Sequence, residues 1–146
     1  MLFCCSWIRQ GRSDIRLAEA FATALERMAG MIRWQNLPIE RVLQAESGHG
    51  PSGAYFSDVA RYMGCGLALQ RSWEKVFRDI SNEEIKNCLC CLDLQGDAKQ
   101  VMGTLHLAAE RLRLLSEQMR AQQRDSERLC VAVAGCLTAV AVIIFI

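Results

Sequence analysis

The end of the chain constrains it most. Residues 129–146 read LCVAVAGCLTAVAVIIFI, 18 positions without a charge and with Thr138 as the one clearly polar side chain. As a helix they run roughly 27 Å at about 1.5 Å per residue. The hydrocarbon core of a bilayer is roughly 30 Å thick. A core helix in so small a domain would keep a polar stripe, and this run has none. The segment therefore reads as a C-terminal transmembrane anchor in contact with the lipid bilayer. Arg120, Arg124 and Arg128 flank it on one side, and nothing charged follows it. The positive-inside rule then puts residues 1–128 in the cytoplasm.

The other end is different. MLFCCSWI is apolar for eight residues and then meets Arg9 and Arg12. It is too short to span a bilayer and lacks the basic start of a signal peptide. Residues 1–13 read as an apolar and basic remnant or a membrane-surface contact. Residues 14–128 remain for one cytoplasmic helical domain, which suits a chain of 146 residues.

Periodicity organises that domain. Leu17, Phe21, Ala24, Leu25, Met28, Met31 and Ile32 recur at steps of three and four, which predicts an amphipathic helix over 14–34. Asn36-Leu37-Pro38 ends it, because a residue before proline disfavours helical geometry. Pro38 suits the first turn of a short helix to residue 46, and Pro51 suits the opening of a third to residue 63. Leu69, Trp73, Val76, Phe77 and Ile80 share one face of a fourth. Ser81 and Glu84 fit a capping box for a fifth, which carries Ile85, Cys88, Leu89 and Leu92 and stops at Gly96. Asp97 with Gln100 marks a second box-like start. From there Val101, Leu105, Ala108, Leu112, Leu115 and Met119 form a seam that leads through residues 120–128 into the anchor. Unbroken, this last helix would be about 70 Å long. No segment alternates as a strand. The expected fold is all-α, a six-helix bundle whose last helix continues into the C-terminal transmembrane anchor.

Chemistry-bearing patterns are sparse. Seventeen Lys and Arg face sixteen Asp and Glu, which removes the electrostatic case for nucleic-acid binding. Cys88, Cys90 and Cys91 have no His or second cysteine pair near them in sequence, so neither a metal site nor a cofactor is implied. A cytoplasmic domain keeps its thiols reduced, and Cys88 and Cys91 read as small buried apolar groups on one helix face. His49 reads as a solvated loop residue and His106 as an ordinary surface or half-buried one. No zinc-protease motif, nucleophile–His–Asp arrangement or phosphate loop occurs. The pattern points to a binding or structural protein rather than an enzyme. A membrane enzyme would have Cys65 as its one candidate nucleophile.

Several stretches carry a resemblance in order. Residues 24–43, ALERMAGMIRWQNLPIERVL, end a helix on an aromatic position and pass through a Pro-containing break. Gly50-Pro51, Ser72-Trp73-Glu74, residues 94–100 (LQGDAKQ), residues 107–112 (LAAERL) and the terminal apolar helix follow. In motif order and spacing the chain from Leu17 to Ile146 resembles the stage III sporulation protein AB family. It departs from that family in having MLFCCSWI alone before Arg9, where a longer apolar helix is usual, and in carrying its glycine at Gly96 rather than directly after Leu94.

The resemblance implies a membrane-anchored platform or adaptor subunit of the channel complex between mother cell and forespore. Its helical domain would be similar to the cytoplasmic domain of platform proteins in type II secretion and type IV pilus systems. The implied partners are a cytoplasmic secretion-type ATPase and other membrane subunits, at the mother-cell membrane of an endospore former. The candidate ATPase contacts are the turns at Trp34 and Pro38 and at Gly96, Asp97 and Gln100. Read locally, Trp34 is a helix-end packing residue, and Asp97 and Gln100 belong to a cap. The alternative is a tail-anchored cytoplasmic helical binding module of unrelated role.

Overall fold

The computed structural model describes residues 2–146; the side chains of residues 2–5 and 7, like Met1, lie outside the described set. The expected surface contact of the first eight residues falls largely on those positions. Among the described residues there are six helices: α1 (Leu2–Gln35), α2 (Ile39–Glu46), α3 (Gly53–Gly64), α4 (Leu69–Phe77), α5 (Glu83–Cys90) and α6 (Ala98–Phe145). The all-α bundle with one long terminal helix matches the periodicity.

α1 and α6 form an antiparallel hairpin, and the four short helices make an arc that leaves the end of α1 and returns to the start of α6. Three cross-hairpin ion pairs fix the register: Arg113 with Glu26, Arg120 with Glu19, and Arg12 with Glu127 at 3.2 Å. Further along, the Gln123 amide donates to the Ile8 carbonyl at 3.5 Å. The helix at the front therefore begins at Leu2, not near Asp14. Residues 2–13 show no strong apolar period of their own; the contacts of Ile8 and Arg12 with α6 favour helix where local sequence does not.

The core lies between the hairpin and the arc. Phe21 on α1 meets Phe56 on α3 edge-on at 5.9 Å and Phe77 on α4 at 5.5 Å. Trp73 stacks obliquely on Phe77 at 4.5 Å, and its indole N–H donates to the Leu89 carbonyl at 2.9 Å. All four rings are fully buried. Each such side chain contributes about 1.5–3 kcal/mol by leaving water. The Trp73 bond also reinforces a carbonyl near the end of α5, where helix carbonyls lack the usual partners; its other donor is the Leu92 amide at 3.4 Å.

The ends of the helices refine the sequence reading. Asn36 takes φ 53° and stops α1 in the left-handed conformation, which asparagine tolerates better than most residues. Pro38 is the N-cap of α2 rather than its first helical residue. Pro51 likewise sits before Ser52, the N-cap of α3, so it precedes that helix without opening it. Ser81 does not cap α5: Asn82 does, its Oδ1 accepting from the amides of Glu84 and Ile85 at 3.0 and 3.1 Å. Asn82 stands one residue closer in extended geometry, so its short amide reaches both free N–H groups. Cys88 and Cys90 are half-buried on α5, and Cys91 is exposed at its C-cap. The expected buried pair of Cys88 and Cys91 is thus absent. Burial raises the Cys88 and Cys90 thiol pKa values, and at Cys90 the neighbouring Cys91 adds to the effect.

α6 carries the expected apolar run unburied to its end and is long and apolar enough to cross a membrane. Thr138 returns its hydroxyl proton to the Ala134 carbonyl at 2.7 Å, so its one polar group is satisfied within the helix.

Candidate functional site at the pole away from the apolar end

The hairpin register brings the two candidate turns together. α1 ends at Gln35 and α6 begins at Ala98, and because they run antiparallel these ends share one pole of the domain. A small apolar cleft of about 210 Å³ opens there. Pro38 and Leu37 line it from the first turn, Gly96, Ala98 and Val101 from the second, and Leu69 from α4. Residues 98–128 separate this pole from the apolar run by about 45 Å of helix.

Asp97 is the N-cap of α6 and accepts from the Gln100 amide at 3.0 Å. The expected cap is present. Its carboxylate also sits at the positive end of the helix dipole. Gly96 and Gln100 pack on each other: a methyl group at Gly96 would run into the Gln100 side-chain amide. Gly96 keeps an ordinary φ, so its small size rather than backbone freedom is what this contact uses. Asp97, Gly96 and Gln100 are all exposed.

Trp34 is the surprise of the pole. It is 78% exposed, with the Arg33 guanidinium 5.0 Å from its ring centre. It does not pack the helix end, and it does not line the cleft. Two residues beyond Ile32 on a helix is about 200° of rotation, so Trp34 faces away from the buried stripe. Tryptophan and arginine are among the residue types enriched at the energetic centres of protein interfaces.

The loop that presents Gly96 and Asp97 is fastened by Gln70, a residue sequence reasoning passed over. The Gln70 carbonyl oxygen accepts from the Leu94 amide at 3.1 Å, and its NH₂ donates to the Leu92 carbonyl at 3.0 Å. Asp93 adds a local turn by accepting from the Gln95 amide at 2.9 Å. On the other side, Glu46 is fully buried at the end of α2 and accepts from Arg27 at 3.0 Å. That pair ties α2, and with it the turn at Pro38, to α1. A Gln in the first turn of α4 and a Glu at the end of α2 carry no distinguishing spacing, so no sequence signal marks either.

The remaining candidates lie elsewhere. Arg120 pairs with Glu19 across the hairpin, while Arg124 and Arg128 are exposed on α6 just ahead of the apolar run. His49 Nδ1 lies 2.9 Å from the Ala45 carbonyl, and His106 lies 3.3 Å from Glu110 on the outer face of α6. Among the described residues no three His, Cys, Asp or Glu side chains converge as metal ligands.

The family model for stage III sporulation protein AB matches residues 1–146, the whole chain. No curated protein and no solved structure matches it. The chain therefore belongs to the stage III sporulation protein AB family.

Proposed function

We propose that the chain is a membrane-anchored platform subunit of the channel complex between mother cell and forespore, and that it docks a cytoplasmic secretion-type ATPase. Family membership places it in stage III of sporulation. The observation that carries the finer reading is the pole itself. Two turns separated by some sixty residues meet at the end of the domain remote from the apolar helix, and they present an exposed Trp34, a small cleft and a rigidly held loop.

With the apolar end of α6 in the bilayer and Arg120, Arg124 and Arg128 on the cytoplasmic side, the pole projects about 45 Å into the cytoplasm. That distance suits contact with a soluble partner rather than with lipid. The role is binding, not catalysis, and needs no cofactor.

The test uses the full chain in lipid nanodiscs and the secretion-type ATPase of the same organism, with binding and ATP turnover recorded together. Saturable binding that is weakened by Trp34→Ala is the expected result. An anchored, folded chain that captures no ATPase overturns the docking role and leaves a tail-anchored helical module with a different partner.

A further inference from the structure

A second open surface lies at the other end of the hairpin. The buried stripe of α1 and α6 thins beyond Ile15 and Leu115. Gly11 and Ile8 on one helix and Met119 and Gln123 on the other are half-buried, and Gln122 beside them is exposed. The arc of short helices does not follow it there, since its edge on this side is the segment from Ser81 to Glu84. What remains is a groove of about 870 Å³ between that edge and the apolar run of α6.

Its size and charge are specific. From Met119 to the first apolar-run residue, Leu129, α6 rises about 15 Å, and a helix with its side chains is about 10–12 Å across. One helix fits, lying across the hairpin. The floor is Ile8, Gly11 and Met119, and methionine adapts to varied apolar partners. The walls carry Asp14, Glu83, Glu84 and Asp125, while no Lys or Arg lines the groove among the described residues. Lys86 engages Glu83 at 2.7 Å, and Asn82 donates to one oxygen of Asp14 at 3.2 Å. Glu84 and Asp125 are exposed. The nearby Arg12 and Arg120 are turned to Glu127 and Glu19 across the hairpin.

We propose that this groove receives a cationic amphipathic helix of a second membrane protein, lying flat on the cytoplasmic surface of the bilayer at the foot of α6. The apolar face of that helix covers Ile8 and Met119, and its Lys or Arg side chains meet Glu84 and Asp125. Charge selects this occupant. Headgroups of an anionic leaflet are repelled by Asp14, Glu84 and Asp125, Glu83 being offset by Lys86, whereas a basic juxtamembrane segment is attracted both to the leaflet and to the groove. The inference rests on the membrane-anchored orientation proposed above and is separate from the ATPase contact at the opposite pole.

The experiment places a photo-crosslinking residue at Gln122 of the full chain in the sporulating host, with a parallel copy at the exposed Gln35, beside Trp34, to read the ATPase contact. The expected Gln122 adduct maps to a Lys- or Arg-rich segment of another membrane protein. Glu84→Lys with Asp125→Lys reduces it at least fivefold, and reversing the partner's cations restores it. Both positions are exposed, and the milder pair Glu84→Gln and Asp125→Asn, expected to give a smaller loss, serves if the reversal disturbs the fold. An adduct with lipid, with a second copy of this chain, or with an acidic or uncharged segment overturns the proposal. So does an adduct indifferent to the charge changes, or the lack of any Gln122 adduct from chain recovered in the membrane fraction. Because the Gln35 adduct is scored separately, loss of the ATPase contact and loss of the groove contact are told apart.

Discussion

Trp34→Ala separates the function of the pole from the stability of the fold. The side chain is 78% exposed, so little apolar area is lost from the folded domain when it is removed. An aromatic side chain presents about 150–250 Å². With roughly a fifth of that covered, burial at about 25 cal/mol per Å² contributes on the order of 1 kcal/mol. The contact with Arg33 adds about 0.5–1 kcal/mol at an exposed site, much of which the arginine regains by solvation. The melting temperature should therefore fall by no more than a few degrees. Binding behaves differently. A tryptophan at the centre of an interface costs about 2 kcal/mol or more on truncation, which is roughly a 30-fold weaker affinity. The assay is titration of the ATPase onto nanodisc-embedded chain, paired with thermal melts of the same preparation. Unchanged affinity would refute the placement of Trp34 in the contact. A collapse of the melt would refute its exposure.

Other residues give sharper tests of the framework. Trp73→Phe removes the shorter of the bonds to the Leu89 carbonyl, which keeps a longer one from the Leu92 amide, and leaves a gap in a filled core; a loss of about 1–3 kcal/mol is expected in chemical unfolding, and a loss under about 0.5 kcal/mol would contradict the packing. Asp97→Ala removes the cap of α6 and should cost about 1 kcal/mol, seen as a melting shift of a few degrees that Asp97→Asn largely avoids. Gly53→Ala would place its new carbon 2.7 Å from the Ser47 carbonyl oxygen, a backbone clash expected to cost about 1–3 kcal/mol, whereas Gly30→Ala meets nothing within 4 Å and should be neutral or stabilising. Raised thiol pKa values at Cys88 and Cys90 keep both groups protonated in the folded domain at pH values where the unfolded chain ionises. Their contribution to stability is thus full below about pH 8.5 and falls as pH rises through the folded values, so unfolding should become easier in alkali and alkylation of these two sites should lag at pH 8.

Much of the fold was legible because period and punctuation agree. The apolar steps from Leu17 to Ile32 and from Val101 to Met119 mark the two hairpin faces, and Asn36-Leu37-Pro38 and Gly96-Asp97 mark the turns. What escaped was decided by tertiary contact. Ser81 and Asn82 are both good caps, and the backbone path into α5 chooses the second. Residues 2–13 lack a clear stripe, yet they are helical, and Ile8 and Arg12 find partners on α6. Glu46 and Gln70 look like surface residues, and only the folded chain shows that one is buried against Arg27 and the other pins the loop before Asp97. Trp34 is the instructive case. Its large apolar ring suggests packing, but its angular position relative to Ile32 already places it on the outer face. The candidate turns were identified singly; the pole they form required the hairpin register.

That register is held by charge order as much as by apolar fit. The three cross-hairpin pairs are spaced seven residues apart on each helix: Glu26 with Arg113, Glu19 with Arg120, Arg12 with Glu127. Each is partly exposed and contributes at most about 1 kcal/mol, so together they add modestly to stability. Their value lies in the reversed polarity of the third. Sliding α6 by one heptad in one direction keeps the apolar stripes in contact but brings Glu19 against Glu127. Sliding it the other way brings Arg12 against Arg120. Either slip replaces an attraction with a repulsion, while a uniform row of Glu facing Arg would tolerate both. A slip of seven residues moves one helix about 10 Å past the other, which would pull the Gly96 turn away from Pro38 and open the cleft between them. The alternation of sign thus carries from the sequence of two helices to the integrity of a site formed by two turns, and it does so at the pole where the ATPase is proposed to dock.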